Sequence, residues 1–212
     1  MSSNYRTTSL GGGKRLCLLG GKPLNFMRRI FDVLVALGLM LILAPLFLFV
    51  VLGVRLTSVG PVLFRTQRVG KGNKLFTMYK FRTMRMDTPQ VATHLLKEPD
   101  QFVTPIGKLL RRTSLDELPQ LINVLSGEMS LVGPRPALFN QDDLIALRTA
   151  GGVHQLTPGV TGWAQVNGRD ELPIPEKVKL DEWYMRNRSF WLDLKIVGMT
   201  VFKVIRKEGV VH

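Results

Sequence analysis

Ile30-Phe-Asp-Val-Leu-Val-Ala-Leu-Gly-Leu-Met-Leu-Ile-Leu-Ala-Pro45-Leu-Phe-Leu-Phe-Val-Val-Leu-Gly-Val54 is the long apolar run of this chain, and its single charge is Asp32. As one helix its 25 residues would reach about 37 Å, against a bilayer hydrocarbon core of about 30 Å. Two features oppose a single spanning helix. Pro45 sits near the middle, and proline removes a helix hydrogen bond and kinks or breaks the helix. Residues 30–44 and 46–54 then reach only about 22 Å and about 14 Å, so neither half spans alone. Both flanks are also basic, with Arg28 and Arg29 before the run and Arg55, Arg65, Arg68, Lys71 and Lys74 after it. Basic loops stay on the cytoplasmic side. A spanning helix would place one flank on the wrong face, whereas a re-entrant pair broken at Ala44-Pro45 keeps both inside. The re-entrant pair is the expectation and the spanning helix the alternative. A cleaved signal peptide fits neither the length of the apolar core nor the residues that follow it.

The charge distribution points the same way. The chain has 212 residues, is 45% hydrophobic and carries a net charge of +13. Residues 1–86 hold 14 Lys and Arg against one acid, whereas residues 87–212 hold 15 of each sign. The whole excess therefore surrounds the apolar run, which suits a membrane with anionic lipids better than nucleic acid. The single cysteine, Cys17, excludes an intrachain disulfide and is compatible with a cytosolic compartment. Residues 1–25, with Gly11-Gly12-Gly13 and Gly20-Gly21, read as a flexible tail. Residues 26–55 form the membrane unit, and residues 56–212 form one cytoplasmic domain without internal repeats.

Within that domain, Pro61–Arg65 and Lys74–Arg82 read as strands joined by Gly70-Lys-Gly-Asn turn chemistry, a β-hairpin. Thr104-Pro105 opens a helix with proline at its first position. Ser114 opens another that ends near Gly127, and residues 176–188 form a third. Phe190–Lys207 is a basic amphipathic helix. Phe190, Leu194, Val197, Val201, Phe202, Val204 and Ile205 share one face, while Leu192, Ile196 and Met199 intrude on the polar side. It could lie on a membrane surface or pack on the core.

The strongest local signal is Arg111-Arg-Thr-Ser-Leu-Asp-Glu-Leu-Pro-Gln120. Ser114-x-x-Glu117 matches a capping box, which would give Glu117 a structural task. Asp116 would then sit in the first turn, where the helix dipole favours an ionised carboxylate and backbone N–H groups favour phosphate. Arg111 and Arg112 add donors for phosphate oxygens. An ionised carboxylate in that setting can attack phosphorus, since aspartyl phosphates are covalent intermediates. A neighbouring carboxylate could hold Mg²⁺, which offsets repulsion between nucleophile and diphosphate.

In Gly133-Pro134-Arg135-Pro136 two prolines present one arginine with little entropy left to lose; an ordinary rigid turn is the alternative. Thr157–Arg169 offers Gln165, Asn167 and Arg169 to a nucleotide, or is a structural loop around Trp163. His94 and His154 lack metal-ligand spacing and read as non-catalytic. Walker, Rossmann, zinc and nucleophile-elbow patterns are absent.

With these blocks in view, the chain resembles the bacterial sugar transferase family, the small monotopic phosphoglycosyl transferases. The resemblance runs from about Phe26 to Val210. It rests on Arg28–Asp32, Gln67-Arg-Val-Gly70, Tyr79-Lys-Phe-Arg-Thr-Met84, Thr113–Leu121, Met129–Pro136, Pro158–Arg169 and Leu192-Asp-Leu-Lys195. It implies an α+β, mainly helical fold: a re-entrant membrane helix-break-helix, interfacial amphipathic helices and a small β-hairpin around a cytoplasmic active site. It implies an Asp116–Glu117 dyad with Asp116 as nucleophile and Mg²⁺ held at the dyad. Arg111 and Arg135 match family phosphate-site arginines, with Lys80 and Arg82 as helpers. Family members often carry Ser where this chain has Ala44, so the break rests more on Pro45. Longer members carry additional membrane helices ahead of this core, and none is expected here.

The implied reaction moves a sugar 1-phosphate from a UDP-sugar to a polyprenol phosphate, such as undecaprenyl phosphate, and releases UMP. It would begin assembly of a surface glycan at the bacterial inner membrane, with both termini and the active site on the cytoplasmic face. The alternative is a non-enzymatic, membrane-anchored basic module that recruits nucleic acid or acidic lipids.

Overall fold

The computed structural model describes residues 21–88, 99–168 and 172–206. The apolar run forms two helices, α1 (Gly21–Ile42) and α2 (Ala44–Thr57), inclined at 64° across Leu43. Pro45 lies in the first turn of α2, where its missing N–H would have had no partner anyway. Among the described residues no single helix is long and apolar enough to cross a membrane. The helix takes in residues 21–25, which the sequence reading gave to the tail. The outer surface of the pair is apolar, with Leu41, Ile42, Phe49 and Leu56 largely exposed.

The predicted hairpin is present. Strands β1 (Leu63–Val69) and β2 (Leu75–Phe81) pair antiparallel, with Phe64 opposite Lys80. A tight turn over Lys71–Asn73 joins them, and Gly72 takes a positive φ there. After it comes α3 (Pro105–Thr113), capped by the Thr104 side chain, which accepts from the Gly107 N–H at 3.0 Å. Gly107 is also where α3 meets the chain beyond β2. A β-carbon there would collide with the Thr83 carbonyl, so only glycine lets the two approach.

Next follow α4 (Gln120–Ser126), β3 (Ser130–Val132), β4 (Ala137–Leu138), α5 (Asp142–Ala150) and β5 (Gly159–Thr161). The chain continues through α6 (Trp163–Asn167), α7 (Ile174–Asn187) and α8 (Phe190–Arg206). β4 adds to the free edge of β1, and β3 pairs with β5 in parallel. The fold is thus α+β and mainly helical. Its main core joins Ala36 of α1, Phe76 and Met78 of β2, Leu121 and Val124 of α4, Tyr184 of α7 and Ile196 of α8. A second core sets Val50 and Val54 of α2 against Phe81 and Leu110.

Two local expectations are corrected. Ser114 does not start a helix. It has φ 56° and ends α3, its N–H returning to the Leu110 and Arg111 carbonyls, and its side chain caps nothing. Leu115–Glu117 form a separate 3₁₀ turn, and α4 begins only at Gln120. The capping-box reading therefore fails, because Ser114 spends its backbone closing the helix before it. In α8 the face against the core holds Asp193 and Ile196, flanked by Leu192 and Met199, the residues expected to intrude on the polar side. Trp191, Val201 and Phe202 point outward and are more than half exposed. Val197 of the apolar stripe also packs on the core and Phe190 meets Phe31 of α1 edge-on, so the packed side combines residues of both stripes.

Candidate functional site

Glu117 lies where three elements converge. Its Oε1 accepts from Lys80 Nζ at 2.7 Å and from Arg135 Nη2 at 2.8 Å. Lys80 comes from β2, and Arg135 from the loop between β3 and β4. Burial alone would raise the Glu117 pKa, but the Arg135 and Lys80 charges overcome it and hold the carboxyl well below the usual carboxylate range. Asp116, one residue earlier, shifts the other way. Burial raises its pKa, Lys80 and Arg111 oppose that, and the Glu117 charge adds to it. The two adjacent carboxylates thus differ: one is clamped between cations, the other is less stabilised as an anion.

Arg111 is set at the end of α3, and its Nε donates to Thr83 Oγ1 at 3.0 Å, just beyond β2. Asn123, fully buried in α4, fixes β2 beside Lys80. It accepts from the Tyr79 N–H at 3.1 Å and donates to the Thr77 carbonyl at 2.7 Å. Lys80, Arg111 and Arg135 therefore surround two carboxylates, a local surplus of positive charge suited to a phosphate-bearing ligand.

The loop carrying Arg135 is held from outside by three groups. The Pro134 carbonyl accepts from Gly159 N–H at 3.0 Å, the Arg135 carbonyl from Arg148 Nη1 at 2.7 Å, and the Pro136 carbonyl from Arg68 Nη1 at 3.3 Å. Pro134 and Pro136 lack N–H groups, so the loop has few donors with which to brace itself.

Of the other expected site residues, Arg82 and Asn167 are engaged by groups outside the dyad, and Gln165 lies near the Arg135 loop. Arg82 is buried, and its guanidinium donates to the Ser58 and Val59 carbonyls and to Ser58 Oγ, at 2.7–2.9 Å. These bonds tie it to the chain just after α2. Asn167 donates to the Trp163 carbonyl of its own helix at 2.7 Å. Gln165 Oε1 would lie 2.7 Å from a β-carbon at Gly162, which backs onto the Gly133 carbonyl, so this side chain sits under the start of the Arg135 loop. Arg169 falls outside the described residues.

Sequence reasoning missed Arg148 and Asp181, which carry no local motif and meet only in the fold. It also left Asp32 without a role, although a lone acid in an apolar run is a visible signal. Asp32 accepts from Ser130 Oγ at 2.7 Å and from the Leu131 N–H at 3.1 Å, which docks α1 on β3.

As to Mg²⁺, the described residues contain no cluster of three or more His, Cys, Asp or Glu. Mg²⁺ shared with a diphosphate needs only one or two protein carboxylates, and Asp116 and Glu117 supply them, so the donor set fits.

The arrangement is a carboxylate dyad among three basic side chains, beside an apolar bent helix pair. The chain belongs to the bacterial sugar transferase family, whose model matches residues 24–207. It is 45% identical over 87% of its length to the uncharacterised sugar transferase EpsL of Bacillus subtilis, covering 90% of that protein. It is 43% identical over 84% of its length to the UDP-glucose:undecaprenyl-phosphate glucose-1-phosphate transferase of Escherichia coli, covering 40% of that protein. It is 36% identical over 90% of its length to the undecaprenyl-phosphate galactose phosphotransferase of Salmonella typhimurium, covering 43% of it. The chain thus spans less than half the length of the latter two.

Proposed function

We propose that the chain is a phosphoglycosyl transferase that moves a sugar 1-phosphate from a UDP-sugar to undecaprenyl phosphate or a similar polyprenol phosphate. In the first half-reaction an Asp116 carboxylate oxygen attacks the β-phosphorus of the donor. The bond from that phosphorus to the oxygen bridging the two phosphates breaks, and UMP leaves with the electron pair. In the second, a phosphate oxygen of the lipid attacks the same phosphorus, which frees Asp116 and leaves a sugar-diphospho-lipid. The observation that carries this reading is the pairing of a clamped Glu117 with an unclamped Asp116 among Lys80, Arg111 and Arg135. Glu117 fixes Lys80 and Arg135 in place, and these with Arg111 hold the phosphate oxygens. Pro134 and Pro136 stiffen the loop that presents Arg135. Mg²⁺, held by Asp116 and Glu117 together with the donor's phosphates, would supply charge neutralisation.

The membrane arrangement follows the same reading. Residues 26–55 re-enter the inner membrane, bent next to Ala44-Pro45, and residues 56–212 lie on the cytoplasmic face with the dyad near the lipid phosphates. The 64° bend and the apolar outer surface support this. The outward side of α8, with Trp191 and Phe202, rests at the lipid interface.

The test is UMP release by the purified chain with Mg²⁺, undecaprenyl phosphate and a panel of UDP-sugars. Without lipid acceptor, intact-mass analysis should show one phosphosugar adduct that maps to the peptide containing Asp116. UMP release with no adduct under rapid quench would favour direct displacement. Single cysteines at Ser3 and Thr88, in a Cys17→Ser background, should both resist an impermeant thiol reagent from outside the inner membrane. Opposite labelling would mean a spanning segment.

A further inference from the structure

The buried pair Arg148–Asp181 lies outside every motif of the sequence. Arg148 comes from α5 and Asp181 from α7; they are 7% and 1% exposed. Arg148 Nε and Nη2 both donate to Asp181 Oδ2, at 3.0 and 2.6 Å. Burying such a pair is weak evidence for stability, because desolvation offsets the attraction and an apolar pair of similar volume often serves as well. A second task for Arg148 is visible in its remaining nitrogen. Nη1 donates at 2.7 Å to the carbonyl of Arg135, the residue whose own guanidinium meets Glu117. Asp181 thus orients a rigid fork, the fork holds a peptide carbonyl, and that peptide carries the phosphate-site arginine.

We propose that Arg148, oriented by Asp181, is a positioning residue that fixes where the Arg135 guanidinium stands relative to the Asp116–Glu117 dyad. This rests on the reading of the dyad as the site of phosphosugar transfer. Arginine is required because only a planar fork serves the carboxylate and the carbonyl at once; a lysine ammonium can keep the ion pair but has no fixed second arm. Small displacements of groups that orient a substrate can cost about 10²-fold in rate.

The experiment is a double-mutant cycle on the full chain in lipid, with UMP release as readout and thermal unfolding recorded for each variant. Arg148→Lys should lower kcat by about tenfold to 10²-fold in the wild-type background. In an Arg135→Ala background the same change should cost less than about twofold, since its effect passes through a side chain already removed. Asp181→Asn, which keeps an acceptor for both Arg148 donors, should stay within about threefold of wild type. A purely structural pair predicts an equal Arg148→Lys loss in both backgrounds, in step with the unfolding temperature; that result overturns the inference. An unchanged rate for Arg148→Lys, or an Asp181→Asn loss as large as that of Arg148→Lys, overturns it too. If Arg148→Lys fails to fold, Arg148→Gln, which also keeps only one donor group, enters the same cycle with the same criteria. Failure of wild type to release UMP from any donor sinks the functional reading, and this inference with it.

Discussion

The cluster of charge where α1 enters the body and the cluster around the dyad differ in balance and in access. At the joint where α1 enters the body, Arg28 Nη2 meets Asp193 Oδ2 at 2.9 Å, with both side chains below 10% exposure. Tyr184 donates to the other oxygen of Asp193 at 2.7 Å. Asp32 is spent on Ser130 and Leu131, and Arg29 donates to the Val124 and Leu125 carbonyls at the end of α4. Two arginines and two aspartates cancel, and Arg28, Asp32 and Asp193 are shut away from solvent. At the dyad, three cations face two carboxylates, and Arg135 and Glu117 side chains remain 33% and 21% exposed. A balanced, sealed cluster holds elements together; an unbalanced, open one leaves a positive surplus for a ligand. The difference separates architecture from chemistry more clearly than charge content does, because both clusters join basic and acidic side chains.

The comparison breaks most sharply at Asp116. Asp116→Asn keeps the shape but removes the anionic oxygen, so UMP release should fall by at least about 10³-fold. The unfolding temperature should hold or rise, since burial already disfavours the ionised form. Residual turnover close to wild type would remove Asp116 from the reaction.

The joint should show the opposite behaviour. Arg28→Ala leaves Asp193 buried without its cation, a change that costs about 3–5 kcal/mol. Thermal or denaturant unfolding should report that loss, while turnover per folded molecule stays within about twofold. A large fall in rate without a fall in stability would make the joint part of the chemistry.

Lys80→Met sharpens the contrast through pH. Lys80 is the largest influence lowering the Asp116 pKa and also lowers that of Glu117. Its loss should reduce kcat by about 10²-fold. The reaction needs ionised Asp116, so the rate falls as pH drops through its folded pKa, and without Lys80 that acid limb should move to higher pH. Stability follows Glu117, whose depressed pKa contributes stability that is present above its unfolded pKa and lost as pH falls toward the folded one. The stability difference between Lys80→Met and wild type should therefore be widest near neutrality and narrow in acid. An unshifted acid limb would disconnect Lys80 from the dyad.

The smallest effect is expected from Asn167→Ala. Its amide is tied to its own helix at the exposed end of α6, so UMP release should change by less than about twofold, as for surface substitutions away from a site. A tenfold loss would mean that the side chain reaches the donor nucleotide.

The hairpin, the cap of α3 at Thr104, the bend beside Pro45 and the adjacency of Asp116 and Glu117 were all legible in the sequence. Each depends on neighbours a few residues apart: turn glycines, a capping hydroxyl, a missing N–H, an acidic pair. Tertiary structure decided the rest. Glu117 finds Lys80 from 37 residues away and Arg135 from 18, while Arg148 finds Asp181 across 33 and Ser130 finds Asp32 across 98. Lys80, on β2, and Arg82, just past its end, are two residues apart, yet one meets the dyad and the other grips the end of α2. Ser114 carried a start signal but closes the preceding helix, and α8 buries Asp193 and Ile196 from its polar side. Side-chain type and spacing give a charged group its reach and its donors. Which partner it meets is set by where distant segments are brought together, and no local pattern encodes that distance.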